Sequence, residues 1–408
     1  MLKKLFHFLF IFGALVLNSC NNNQNNKQDD ISKLNWKQLL EKAKGSTVIM
    51  NMHQGDKKAN RYMDDYVVPA VKDKYGITLK VIGGQGKEII NNIMSEKESG
   101  TAKGQTDMCW INGETFYQLR QIDGLYGPFV AQLPNAKYID FNDPLIKYDF
   151  QEEVKGFEMP WGKAYFLGVT DTARVKKIPV TMQEFEIYWQ LHPGKFAISQ
   201  DFTGLTLLKS WLIELAGGIH ELEGKFDETK YKKYSNRLWV FINKNKRNFW
   251  KNGETFPASG IVVSQMFGSG EVDFTFTFGN ADIDKKVADG LYPSTSKAFI
   301  LKAGCTNNTN YLGITYNSAN KAAAMVICDF LISPEAQIKK NNYTIWGGGM
   351  VLDYTKLTRN WQIEYDTLPK LKYGLSQEEI KSKSIQETEP KYMIRIGDDF
   401  RKFVIDAK

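Results

Sequence analysis

The sequence predicts an α/β chain folded as two αβ lobes with a cleft between them. Three observations lead there. Helix and strand patterns alternate from residue 34 onward at the spacing of αβ units. The alternation breaks once, in the Pro-, Asn- and Asp-rich stretch 128–149, and resumes as a second block. Strands of the first block each end in a short polar or Gly-rich turn that opens a helix.

In the first block, Leu34 to Lys44 has helical periodicity and Val48 to Met52 is a short apolar strand. Lys57 to Lys74 reads as a helix and Ile77 to Ile82 as a strand. Gly83-Gly84-Gln85-Gly86 then turns into a helix over Lys87 to Glu98. Asp107 to Ile111 is a third strand, entering Asn112-Gly113-Glu114 and a helix through Gln121. Strands separated by helices of this length imply a parallel sheet covered on both faces.

Beyond the loop 128–149, Met159-Pro160-Trp161-Gly162 leads a strand over Ala164 to Val169. Thr181 to Leu191 is helical, with Thr181 as N-cap and Glu184 three residues on, a capping box. Lys195 to Ser199 reads as a strand. Asp201-Phe202-Thr203-Gly204 opens a helix over Leu205 to Ala216 that closes at Gly217-Gly218, and further helix covers Asp227 to Phe249. Phe274, Phe276 and Phe278 alternate within Glu271 to Phe278, the pattern of a half-buried strand. Thr309 to Tyr316 is strand-like, Lys321 to Leu331 is an apolar helix, and Ser333-Pro334 starts another with Pro at its first position.

In open α/β sheets small molecules sit beyond the carboxyl ends of the strands, where helix N-termini offer unpaired N–H groups. Three strand ends therefore point to one place: His53-Gln54-Gly55-Asp56, Gly83 to Gly86, and Asn112-Gly113-Glu114. A cleft between two such blocks is a preferred ligand site.

The N-terminus carries an address. Lys3 and Lys4 precede an apolar run from Leu5 to Leu17, and the run ends in Asn18-Ser19-Cys20. That is a secretory signal, too short to span a bilayer. Its ending resembles a lipobox, which makes residues 1–19 the signal peptide and Cys20 the acylated first residue. Residues 20–30 contain no apolar side chain after Cys20 and read as a flexible leash. An ordinary signal peptide holding a chance cysteine is the alternative. No second long apolar stretch exists. A net charge of +7 is spread without a Lys/Arg run, so no nucleic-acid partner is expected, and Lys232 to Arg247 reads as a solvated helix face. Cys109, Cys305 and Cys328 form no CxxC, and Cys109 and Cys328 read as small buried hydrophobes.

Seven segments in order carry a family resemblance: VIMNMHQGDKKANRY (48–62), DMCWINGETFYQLR (107–120), MPWGKAYF (159–166), HPGKFAISQDFTG (192–204), EVDFTFTFGNA (271–281), ITYNSANKAAAMVICDFLISPEAQ (314–337) and IWGGG (345–349). The chain resembles the solute-binding proteins of bacterial ABC importers, in particular the group related to thiamine- and polyamine-binding proteins. The resemblance implies a periplasmic-binding-protein-like fold, two lobes joined by crossover strands that close over ligand by hinge bending. It places lobe one at 31–160 plus about 300–350 and lobe two at about 161–295, with a helical segment, about 351–408, packed on both. It implies ligand contacts from His53, Gln54, Asp56, Asn112, Gly113, Glu114, Trp161, Asp201, Phe202, Thr203, Asn280 and Trp346. His53-Gln54 departs from the aromatic-glycine pair more usual there.

Each of these residues has a structural alternative. Asp201 reads equally as an N-cap, Trp161 and Trp346 as packing residues, and Asn112 and Asn280 as turn residues. Gly83 to Lys87 lacks the spacing and the Ser/Thr of a P-loop. There is no HExxH, no G-x-S-x-G elbow and no EF-hand around Asp282, Asp284 and Asp289. The expectation is a non-enzymatic, monomeric lipoprotein, without cofactor or metal, on the outer side of the cytoplasmic membrane or in the periplasm. It captures a small organic solute, foremost a thiamine-like or polyamine cation, and hands it to a permease with its ATPase. A secreted lipoprotein hydrolase, such as a glycosidase working through a carboxylate pair, is the second reading.

Overall fold

The computed structural model describes residues 31–84, 86–111 and 113–407; Cys20, the leader and the leash lie outside them. The expected parallel strands form the first sheet. Thr47–Met52 lies between Thr78–Gly83 and Met108–Ile111, all parallel. The long strand Cys305–Thr315 then adds antiparallel to Met108–Ile111, so the sheet is mixed. A second sheet sets Leu167–Asp171 between Phe274–Thr277 and Ser296–Phe299, and both pairings are antiparallel. Each sheet has its own apolar core, one built around Met50, Trp161 and Met325, the other around Phe185, Trp211 and Phe274.

Two strands link the lobes. Glu158–Tyr165 runs outward into Leu167–Asp171, and Ser296–Phe299 leads back to Cys305–Thr315. The outward and return strands pair antiparallel from Glu158 to Tyr165. Met159 to Gly162 thus lies inside the strand, not ahead of it. The register slips between Asn310 and Tyr311, opposite Trp161 and beside Pro160. A bulge there spares the proline a ladder bond it cannot donate.

Several other expectations are modified. Lys195 to Ser199 is extended but pairs with no strand. Its groups are satisfied singly: Lys195 O accepts from Asp273 N, and Phe196 O from Trp250 N. Phe274–Thr277 is buried on both faces, because Thr275 and Thr277 are covered as well. The helix expected over Lys57 to Lys74 carries a π-turn at Tyr62–Val67, just before Pro69. Val68 N bonds back five residues to Met63 O, and the wider turn makes room for a ring that cannot donate. The stretch 128–149 contains 3-10 turns at Val130–Gln132 and Pro134–Tyr138 and a helical turn at Pro144–Lys147.

Local rules hold elsewhere. Thr181 and Glu184 form the capping box on Met182–Leu191, and Ser333 caps Pro334–Asn341 with Pro first. Cys109, Cys305 and Cys328 are buried and unpaired. Lys232, Lys233, Arg237 and Lys244 face solvent along Glu228–Asn245. No helix among the described residues is long and apolar enough to cross a membrane.

The C-terminal segment crosses the molecule. Arg359–Asp366 packs beside Pro334–Asn341. Tyr373 and Leu375 join the second lobe's packing, Ser384–Ile385 pairs with Cys305 and Thr306, and Tyr392, Ile396 and Phe400 complete the second core.

Candidate functional site

The strand Thr47–Met52 delivers His53 to Asp56 to the seam between the lobes. Asp56 caps Lys57–Arg61, its Oδ1 accepting from Lys58 N at 2.8 Å and Ala59 N at 3.3 Å. Its Oδ2 accepts from Trp346 Nε1 at 3.0 Å and lies 3.5 Å from Lys285 Nζ, which belongs to the second lobe. The Lys285 ammonium, on a side chain 8% exposed, also meets Asp282 Oδ1 at 2.5 Å. Thr277 Oγ1 donates to Asp282 Oδ2. Burial works against the charge on Asp282, but Lys285, Lys286 and Thr277 hold its pKa down to about 2. Burial likewise opposes the Lys285 charge, and Asp282 and Asp56 together raise its pKa.

His53 feels carboxylates of both lobes. Burial lowers its pKa, while Asp56 and Asp201 both pull it up. Beside it the lobes touch: a Cβ on Gly55 would stand 3.1 Å from Ile261 Cδ1, on the second-lobe helix Gly260–Ser269. Asp201 stands at the N-cap of Phe202–Ala216 but makes no capping bond to it. Its Oδ1 accepts from Ser199 Oγ at 2.7 Å and its Oδ2 from Gly260 N at 2.9 Å. It therefore serves the start of the neighbouring helix. Phe202 packs on Phe278 and Phe150, with ring centroids at 5.1 and 6.4 Å, and Thr203 abuts Gly260. Gln54 is exposed, its carbonyl accepting from Asn60 Nδ2.

A second corner forms where the third strand ends. Gly113, at φ 51°, donates its N–H to Asp149 Oδ2 and faces the Phe150 ring, which leaves no space for a Cβ. Burial raises the pKa of Glu114, against the pull of Lys209 and Lys87. Asn112 lies outside the described residues.

Two expected positions are spent elsewhere. Both ends of the Asn280 amide bond Leu375, its Nδ2 donating to the carbonyl at 2.9 Å and its Oδ1 accepting from the N–H at 2.7 Å. Asn280 thus ties the C-terminal segment to the second lobe. Trp161 is fully buried, edge-on to Trp110 at 5.1 Å and tilted against Trp346 at 5.2 Å, within the first core. Trp346 is the member of that stack that reaches the seam, through Asp56.

Reading the sequence missed Lys285, Asp282, Ile261 and Phe150. The signal for the first two was present, since Asp282 and Lys285 are spaced i,i+3 at the start of Asp282–Ala288. Asp284 is no metal ligand here. Its carboxylate accepts from the backbone N–H groups of Lys372, Tyr373 and Gly374. Among the described residues no three or more His, Cys, Asp or Glu side chains cluster as metal ligands would.

Known proteins agree with this architecture. A family model described as bacterial extracellular solute-binding protein matches residues 66–352. Protein YnjB of Escherichia coli (strain K12) is 30% identical over 326 residues, 79% of this chain and 84% of that protein. The periplasmic binding protein AfuA from Actinobacillus pleuropneumoniae, solved with fructose-6-phosphate bound, aligns with a TM-score of 0.62 at 14% identity. It covers 88% of this chain and 98% of its own. The spermidine/putrescine ABC transporter substrate-binding protein PotD from Streptococcus pneumoniae aligns at 0.60 and 11% identity, over 89% and 100% of the two chains. At these identities the two structures speak for the two-lobed fold. The family model and both structures are of binding proteins, and the hydrolase reading finds no support among them.

Proposed function

Because the chain belongs to the bacterial extracellular solute-binding protein family, we propose that it catches a small organic cation between its lobes and delivers it, unaltered, to a permease. The observation that carries the charge assignment is the placement of Asp56 and Asp201. They come from opposite lobes, and the electrostatic pull of both reaches His53. A bound cation would gain from both carboxylates only when the lobes are together, which is the differential interaction hinge closure requires. Phe202 and Phe278 supply aromatic faces of the kind organic cations favour. PotD, named for spermidine and putrescine, shares the fold. A polyamine or thiamine-like solute fits this reading.

Thermal-shift screening of the protein against polyamines, thiamine, sugars and oxyanions is the direct test. A cation should stabilise it and be recovered unchanged; recovery as a reaction product would overturn the non-enzymatic part. Asp56→Asn with Asp201→Asn keeps the acceptors that serve each helix start but removes both charges. Affinity for the cation should fall about 100-fold or more, and undiminished affinity would exclude a cationic solute.

The same reading makes the protein a monomer with 31–160 and about 300–350 in one lobe and about 161–295 in the other. It also makes the protein a lipoprotein held at Cys20 outside the cytoplasmic membrane. Cys20→Ser should move it from the membrane to the soluble fraction, and unchanged membrane fractionation would argue against acylation there.

A further inference from the structure

The two most exposed large apolar side chains among the described residues are Leu191 and Val240, each 70% exposed. They stand on neighbouring helices of the second lobe. Leu191 and Ile187, itself 58% exposed, share the outward side of Met182–Leu191 at i,i+4 spacing. Val240 lies on the outward side of Glu228–Asn245. Lys244 meets Glu186 at 2.8 Å and Phe241 packs on Trp189 at 5.8 Å, so the two helices lie side by side. Phe403, also exposed, joins them from the C-terminal segment, its carbonyl accepting from Asn243 Nδ2 at 2.9 Å.

The charge around Val240 has one sign. From Thr229 to Gly253 the sequence holds eight lysines and arginines and no acid. Lys233, Arg237 and Lys244 are exposed, and their spacings of seven, three and four residues put them on the same side of the helix as Val240. The neighbouring acids are already paired, Glu228 with Lys232 and Arg395, and Glu186 with Lys244. Lys233, Arg237 and the exposed Arg247 have no carboxylate partner among the described residues; Arg237 donates to Leu215 O, and Lys233 stands over the Tyr234 ring. The exposed residues of Met182–Leu191 are Gln183, Ile187, Gln190 and Leu191, none of them charged. Solvation accounts for a basic helix face, but it leaves the bare apolar side chains in its midst unexplained. Apolar groups projecting among unpaired cations match a bilayer surface, where the former enter the headgroup boundary and the latter meet anionic phosphates.

We propose that this face of the second lobe docks on the bilayer surface, with anionic phospholipid headgroups as its partner. Charge complementarity selects an anionic surface, and the apolar side chains select one with hydrocarbon beneath it. The eleven residues from Cys20 to Asp30 span at most about 40 Å, so a body anchored at Cys20 stays within reach of the membrane. Three unpaired cations hold a free protein only weakly, and a tether raises its effective concentration at the surface to about the millimolar range. For that concentration alone the docking rests on the anchored reading above. Contact is reversible, so Cys20→Ser still releases the protein. None of these residues belongs to the His53–Asp201 seam.

The test is amide hydrogen exchange of the full-length protein on protein-free vesicles, either phosphatidylcholine alone or phosphatidylcholine with about one-third phosphatidylglycerol. Residues 183–193 and 233–247 should exchange about 3–10-fold more slowly on the anionic vesicles, and the difference should vanish in about 0.5 M salt. Lys233→Glu with Arg237→Glu should remove the protection by reversing the charge. Leu191→Ser with Val240→Ser should remove most of it by deleting the apolar contacts, and it carries the same expectation if the charge-reversed variant does not fold. Protein that floats with anionic vesicles but not with neutral ones supports the docking face and counts against the anchor at Cys20, so the two readings separate. Equal exchange on both kinds of vesicle, protection that survives in the folded variants, or protection seen only on membranes that carry the permease would overturn the proposal.

Discussion

Lys285→Met should separate the lobes and lower stability by about 2 kcal/mol. In the wild type the lysine is almost wholly buried and sits between Asp282 of its own lobe and Asp56 of the other. Removing it leaves two carboxylates facing each other, with Lys286 the remaining cation acting on Asp282. The share due to Asp56 is small, about 1 kcal/mol or less, since its side chain is 37% exposed and the contact is 3.5 Å. The larger share comes from Asp282. Its folded pKa of about 2 lies below the unfolded 3.8, so its stabilisation is present above pH 3.8 and disappears as pH falls toward 2. The variant should keep only a weakened acid limb, the part that Lys286 and Thr277 sustain. Lys285 shifts the other way: its contribution is complete below 10.5 and fades only above it. Urea titrations across the acid range, with small-angle scattering for the radius of gyration, would check both parts. An unchanged acid profile and an unchanged radius would refute the ionic link between lobes.

Glu158→Met should act in the opposite sense, raising stability by about 1–3 kcal/mol at neutral pH. Glu158 opens the outward interlobe strand, is 0% exposed, and neither carboxyl oxygen has a hydrogen-bond partner. Burial, with Asp149 nearby, raises its pKa well above 4.5. The folded state therefore holds a proton that the unfolded state releases, and stability declines as pH rises above 4.5 toward the folded value. Methionine keeps the volume and removes both orphaned oxygens. Lys340 slopes the other way, because burial among carbonyls lowers its pKa and stability rises with pH toward 10.5. The Glu158 contribution is thus read as the difference between variant and wild type. Identical urea midpoints at acidic and alkaline pH would sink it.

Much of the fold was legible because its signals are local. The capping box at Thr181 and Glu184, the proline after Ser333 and the apolar strand Thr47–Met52 need only a few neighbouring residues to form. What pairs with what was not legible. Lys195 to Ser199 has a strand's composition, yet it pairs with no strand. The antiparallel order of the second sheet depends on where the interlobe strand enters, which no periodicity encodes. The candidate site divides the same way. Asp56 reads in the sequence only as a ligand contact, and the structure makes it the N-cap of Lys57–Arg61. Asp201 also sits at a helix start, but Gly260 N from another helix takes its second oxygen and Ser199 its first. Asn280 has a turn residue's composition and holds a distant backbone instead. Lys285 reads as one more lysine on an acidic helix until the other lobe brings Asp56 to it.

The pairing of Ser384–Ile385 with Cys305 and Thr306 has a mechanical consequence. It lays a further stretch of chain beside the outward and return strands, so the connection between the halves is a ribbon rather than a cord. A ribbon bends across its thin direction and resists torsion about its length. The halves should therefore open along one angular coordinate, like a book on its spine, without swivelling out of register. Asp56 and Lys285, one on each half, would then meet in the same alignment whenever the halves come together.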